Sequence, residues 1–103
     1  MNMEPQDLDI EWDEEKNEIN KRKHHVSFET ASYVFLDPKR IEAFDDLHSD
    51  DEDRYQVVGR VGTVLFVVYT ERGETIRLIS ARPATAKERR LYYGDSQNDT
   101  SRG

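Results

Sequence analysis

The chain has no cysteine among its 103 residues, which excludes disulfides and thiolate metal sites. No apolar run approaches the roughly twenty residues of a membrane span. No signal peptide opens the chain, so a cytoplasmic protein without membrane contact is expected. There is no glycine-rich phosphate loop, no nucleophile elbow, and no serine or cysteine triad pattern. The segment RGETIRLISAR contains a glycine but lacks the strand-loop-helix setting of a nucleotide fold. None of the familiar zinc or calcium spacings joins His24, His25, His48 and the acids around Asp50 and Asp51. The run HSDDEDR therefore reads as a solvated loop, and no metal or other cofactor is expected. Apolar residues are also scarce, 35% against 36% charged. That leaves material for one thin core, in a chain whose size hides roughly two-thirds of its unfolded surface.

Acid and base are unevenly placed. The net charge of −7 speaks against nucleic acid if taken whole. Residues 1–53, however, hold six Lys or Arg and seventeen Asp or Glu, a balance of −11. Residues 54–93 hold eight Arg or Lys against Glu71, Glu74 and Glu88, a balance of +5. Screening confines such fields to about 8 Å in physiological salt, so local patches decide the partners. One face for anions and another for a basic partner is the expectation.

The organising stretch is Val64 to Arg82, which reads as a β-hairpin. Val64 to Tyr69 is too β-branched and too short for a helix, and fits a strand buried on both faces. Thr75 to Arg82 returns, with Ile76 and Leu78 on one face and Arg77 and Ile79 on the other. Gly73 supplies the positive φ of the connection. Arg54 to Arg60 is a further strand, joined through Val61-Gly62-Thr63, and Ile41 to Phe44 is a short edge strand.

Upstream, Leu8 to Trp12 alternates apolar and acidic residues as a short strand does. Asp13 caps a helix over about residues 14–24, with Glu14 and Glu15 in its first turn and Lys21, Arg22 and Lys23 in its last. Ile19 is its only aliphatic residue, so a narrow packing stripe is expected. Ser27 caps a second helix whose Phe28, Ala31, Val34 and Phe35 face the sheet, and Asp37-Pro38 ends it. Thr85 and Glu88 have the capping-box spacing of a third helix running to about Tyr93. The expected architecture is α+β: an antiparallel meander, two N-terminal helices on one face, and a C-terminal helix. A leader over 1–9 precedes a single domain at 10–93, and a disordered tail follows over 94–103.

Arginine suits phosphate because its fork donates two parallel hydrogen bonds and keeps its proton. Arg54, Arg72 and Arg82 sit at strand ends, where sites tend to be built, with Glu71 beside one of them. Lys23, Arg77, Arg90 and Tyr92 are candidate RNA contacts, although arginines such as Arg77 and Arg89 more often merely solubilise a face, and tyrosines more often fill a small core. Lys23-His24-His25 closes the first helix. A histidine can move protons near neutral pH, but cations there stabilise a helix without any chemistry.

The segments IEWDEEKNEINKRKHHVSFETASYVFLDP, EDRYQVVGR and VVYTERGETIRLISARPATAKERRLYY together resemble the BrnT toxin family, in order and over Ile10 to Tyr93. One departure is His25, where the family usually has glycine. Histidine enters the left-handed conformation less readily than glycine. The resemblance implies a RelE-like fold and a ribonuclease toxin of a type II toxin–antitoxin pair. Such toxins cleave RNA without metal, inhibit translation and growth, and are neutralised by a BrnA-like ribbon-helix-helix antitoxin. DNA is then met only through the antitoxin. The matching positions are Lys23, His24, Arg54, Glu71, Arg72 and Arg82. His24 and Glu71 are candidates for proton transfer, and the arginines for holding the scissile phosphate. The rival is a non-catalytic interaction module, or an inactive toxin homologue, that only pairs with a basic protein.

Overall fold

The structure, a computed structural model, describes residues 8–48 and 52–94. The expected leader over 1–9 therefore lies outside the described residues except for Leu8 and Asp9, as does the tail beyond Gly94. Asp50 and Asp51 are likewise outside them.

Three long strands carry the molecule: β3 (Arg54–Val61), β4 (Thr63–Arg72) and β5 (Thr75–Pro83). They pair antiparallel in the expected meander. The turn between β4 and β5 needs the left-handed φ of 63° that Gly73 adopts. β2 (Ile41–Phe44) pairs antiparallel with β3 and forms one edge of the sheet. β1 (Ile10–Glu11) forms the other edge, in the order β1-β5-β4-β3-β2. β1 runs parallel to β5, which makes the sheet mixed. Two helices and the strands β2, β3 and β4 lie between them before the chain enters β5 in the same direction as β1, and no local pattern in LDIEW signals that.

The strands sort their side chains by parity. Val57, Leu65, Val67, Tyr69, Leu78 and Ala81 face the helices and are buried. The helix α2 (Phe28–Ser32) and the 3-10 turn over Tyr33–Leu36 supply Phe28, Ala31, Val34 and Phe35 to the same core, the four residues expected. The second helix tightens after Ser32, whose hydroxyl donates to the Glu29 carbonyl at 2.6 Å and competes with the helix ladder. Gly59 lets this turn approach β3: a Cβ there would sit 3.1 Å from that of Val34. Opposite, Val58, Val64 and Ala84 form a small second cluster with Phe66 and Tyr92. The helix α3 (Ala86–Tyr93) packs on that second face through Tyr92, and its capping box at Thr85 and Glu88 is formed as expected. Val64 to Tyr69 is thus covered on both sides, though Phe66 and Val68 are only half-buried.

The first helix, α1 (Glu14–His24), departs from the expected aliphatic stripe. Ile19 is 49% exposed, whereas Asn17 and Asn20 are buried. Asn17 Oδ1 accepts from the Phe28 N–H at 2.8 Å. Asn20 Nδ2 donates to the carbonyls of Val26 and Ala81, both at 2.8 Å, and its Oδ1 accepts from the Ala81 N–H at 3.2 Å. β1 covers β5 only along Ile76 and Arg77. Further along that open edge Asn20 does for Ala81 what a neighbouring strand would do. A buried backbone group without a partner costs about 1–3 kcal/mol, so polar docking here is as firm as apolar docking.

His25 ends α1 at φ 61° and ψ 30°, the only positive-φ residue other than glycine among the described residues, and its N–H returns to the Lys21 carbonyl. A turn that suits glycine is therefore made by a histidine, at the strain of a β-carbon in the left-handed region, about 1 kcal/mol.

Two outcomes follow for stability. His25→Gly should raise the unfolding free energy by about 0.5–1 kcal/mol in a urea titration, whereas a loss would show that the histidine side chain contributes more than its backbone strain. Asn20→Ala should cost about 2–4 kcal/mol, read as a lowered urea midpoint at constant slope; a change below 0.5 kcal/mol, estimated on the same scale, would rule out the carboxamide as the docking element.

Candidate RNA-binding face

The arginines are collected by register. Arg54 lies opposite Thr70, and Thr70 opposite Arg77, so these three share one face. Phe66 pairs with Val58 on one side and Arg82 on the other, in a row on the same face. Arg72 and Arg60 have the same parity. A β-bulge between Val68 and Tyr69 makes this possible: Tyr69 pairs with Leu78 but Val68 with Ser80, leaving Ile79 as the extra residue. Regular alternation would put Arg77 and Arg82 on opposite sides. The bulge returns Ser80 and Arg82 to the face of Arg77. Gln56, Val68 and Ser80 form the floor between the rows of Arg77 and Arg82, which stand four ladder steps apart on β4, about 13 Å.

Each row holds its own counter-charges. The Arg82 guanidinium makes a two-pronged contact with the Glu88 carboxylate, 2.9 Å on each arm, and lies 4.1 Å from the centroid of the Phe66 ring. Arg77 Nη1 donates to Glu11 at 2.9 Å. Arg72 lies 3.6 Å from Glu52, an exposed pair of little energetic weight. The hydrogen bonds from Arg82 hold the Glu88 carboxyl below the ordinary carboxylate range, ahead of the opposing effect of burial.

The end of α1 supplies the third part. Lys23 and His24 share a shallow pocket of about 190 Å³ with Ile79 and Ser80. His24 is partly exposed. It therefore stands at the rim of the arginine face, level with Ser80 and between the positions of Arg77 and Arg82 along β5.

Not every candidate joins. Glu71 pairs with Ile76 on the helix side of the sheet, where burial first, then Glu42 and then its own charge raise the Tyr69 hydroxyl. A strand neighbour of Arg72 necessarily points the other way. Arg90 sits on exposed α3. Tyr92 is turned inward: its hydroxyl donates to Asp37, and Tyr93, edge-on to it, is the exposed member of the pair. Burial, then the contact with Asp37, pushes the Tyr92 hydroxyl up to about 12. Burial also works to raise Asp37, but hydrogen bonds from Tyr92 and from the Arg60 and Lys39 N–H groups outweigh it and leave the carboxyl below its usual range. Arg54, Arg72, Arg77 and Arg82 thus share a face, Arg54 and Arg77 in one row with Arg72 and Arg82 in rows on either side of it, without closing on one point.

Sequence reasoning found the capping role of Glu88 but not its hold on Arg82, and it passed over Phe66 and Ser80. The capping-box spacing signals Glu88, whereas the other two depend on the bulge. A concavity of about 720 Å³, lined by Leu8, Ile10, Trp12, Glu29 and Tyr33 among others, contains none of the candidate residues. An extended polyanion needs an open cationic surface more than an enclosed pocket. Among the described residues no three His, Asp or Glu side chains cluster so as to hold a metal ion, and no helix is long and apolar enough to cross a membrane.

A small α+β domain presenting arginines on one sheet face is the class defined so far. Comparison gives the family. Residues 12–88 match the family described as "Ribonuclease toxin, BrnT, of type II toxin-antitoxin system", and the chain belongs to it. Membership in a type II pair implies an antitoxin partner. The crystal structure of the Brucella abortus ribonuclease toxin BrnT is similar at 24% identity with a TM-score of 0.58, over 76% of this chain and 97% of that one. That likeness confirms the fold. No curated protein matches the chain.

The docking of α3 has a pH signature. A carboxyl held low in the folded state adds stability that is complete above the unfolded carboxylate value, about 4.3, and is lost as pH falls through the lowered folded one. Protection of the α3 amides, taken against the intrinsic exchange rate at each pH, should fall below about pH 4, and Glu88→Gln should flatten that acid limb. An unchanged limb in the variant would remove Glu88 from the latch.

Proposed function

We propose that this chain is a metal-independent endoribonuclease whose RNA lies across the arginine face of β3–β5, on the part that α3 leaves open. The observation that carries the reading is the register that puts Arg54, Arg72, Arg77 and Arg82 on one face with His24 at its rim. In this reading the 2′-hydroxyl attacks the adjacent phosphorus, and the bond to the 5′-oxygen breaks. The products are a 2′,3′-cyclic phosphate and a 5′-hydroxyl end. Guanidinium groups stabilise the charge that grows on the phosphorane oxygens, and because they are fixed cations they need no metal for it. His24 is the proton-transfer group, an imidazole being the side chain best suited to take or give a proton near neutral pH. Glu71, on the other side of the sheet, is given no part in this step. Lys23 adds charge beside His24, Arg90 lies beyond the face, and Tyr92 acts in packing rather than in stacking on a base.

Family membership supports the partner as well. We assign the antitoxin to the BrnA-like, ribbon-helix-helix class and the site of action to the cytoplasm, where RNA cleavage would inhibit translation and growth. DNA contact then belongs to the antitoxin.

One observation favours a second reading, an inactive homologue that only binds its partner: Arg72, Arg77 and Arg82 each already face a carboxylate. Induction with RNA analysed on gels separates the two. Wild type should arrest growth and cleave RNA in the presence of EDTA, leaving 2′,3′-cyclic phosphate ends. Arg77→Ala and Arg82→Ala should each lower cleavage about 10²-fold, and His24→Ala by 10² or more, on the usual scale for proton transfer. Cleavage abolished by EDTA, or intact in all three variants, would contradict the mechanism. A well-folded wild type that cleaves nothing would establish the binding-only reading.

A further inference from the structure

The edge strand β2 is the least defended surface of the molecule. All four of its residues are exposed, and Ile41 and Phe44 are 41% and 47% accessible, with Leu47 just beyond at 82%. Natural sheets blunt an open edge with lysine, proline, a bulge or a covering loop. The sequence IEAF contains neither lysine nor proline, and its pairing with β3 has no bulge. The direction of its backbone groups follows from one bond. The Asp45 N–H donates inward to the Arg54 carbonyl at 2.8 Å. Alternation then turns the N–H and C=O of Ala43 and Ile41 inward as well, and those of Glu42 and Phe44 outward.

We propose that this edge receives an extended strand of the antitoxin, added antiparallel or parallel to β2 as a sixth strand of the sheet. The inference rests on the toxin–antitoxin reading and names the surface that serves it. Charge selects the occupant. Exposed Asp46 and Asp53 flank the edge, and Glu42 on it and Glu52 beside it, though met by Arg40 and Arg72, keep the flank acidic. A second copy of this chain would bring acid against acid, which is unfavourable across a ladder. A strand with apolar residues at alternate positions and Lys or Arg around them matches both the exposed Ile41 and Phe44 and the acidic flanks. Ile41 has the parity of Val58, on the arginine side, and Phe44 that of Tyr55, on the helix side. The added strand therefore finds an apolar neighbour on each face.

The test uses the full chain and, as probe, the protein encoded by the adjacent reading frame. Hydrogen exchange on the wild-type complex should show the amides of Glu42 and Phe44 protected on binding. Glu42→Pro removes an outward N–H while sparing every bond to β3, the one place where an edge tolerates proline. It should weaken binding at least tenfold with RNA cleavage unchanged, the melting temperature falling only by what the lost Glu42–Arg40 contact is worth, as Glu42→Gln measures separately. Should that variant fail to fold, Glu42→Lys keeps the whole backbone ladder and should weaken binding by reversing the charge. Binding of the neighbour to wild type without protection at these two amides, and equally to the variants, overturns the edge proposal and leaves the toxin reading standing. No binding to wild type overturns both. Concentration-dependent dimerisation of the chain alone, lost in Glu42→Pro, would assign the edge to a second copy and overturn the antitoxin as occupant.

Discussion

One carboxamide ties the two halves of the molecule together. Asn20 bonds both backbone groups of Ala81 and the carbonyl of Val26, and so fastens the helix of the acidic half to the edge of a strand in the basic half. Three consequences meet there. The open edge of β5 is satisfied where β1 stops short. The loop after the strained His25 is held closed. Lys23 and His24, one turn beyond Asn20, are placed beside Ser80 rather than out in solvent. A helix with one aliphatic residue gains a fixed seat because buried polar atoms are costly unless paired, and here all are paired.

The second constraint is the bulge at Ile79. It converts a strand whose arginines would straddle the sheet into one that shows them together. The face so formed is balanced internally: Glu88 and Phe66 hold Arg82, and Glu11 holds Arg77. Such pairs preorganise the guanidinium groups, and a phosphate must compete with the carboxylates for them. The exposed ones among these pairs are weak, so the competition is open to a polyanion.

Much of the fold was legible in the sequence because its signals are local. Asp13 and Ser27 as caps, the four sheet-facing residues of the second helix, the Gly73 turn and the Thr85–Glu88 box each state their own geometry. The parallel pairing of β1 depends on a return path of some sixty-six positions, from Ile10 to Ile76, and no window in the sequence contains it. The asparagine docking of α1 was hidden for another reason: hydropathy patterns count Asn17 and Asn20 as surface residues. At the site, residue type pointed to the arginines, but parity decided which belong together. A single inserted residue brought Arg82 onto the face of Arg77. Simple alternation from Arg72 took Glu71 off it, although adjacency in sequence suggested a pair. Tyr92 and Tyr93 show the same limit, since only packing against Val58 and Phe66 tells which ring turns inward.

The central claim is spatial: RNA meets the arginine face of β3–β5, where α3 leaves it open, beside His24. A non-cleavable 2′-O-methyl oligoribonucleotide, titrated into isotopically labelled protein, tests it directly by NMR. Shifts concentrated at Arg54, Gln56, Ser80, Arg82 and His24, and weakened by salt, are the predicted footprint. A footprint on the Trp12–Tyr33 groove, or none at any concentration, would contradict the account.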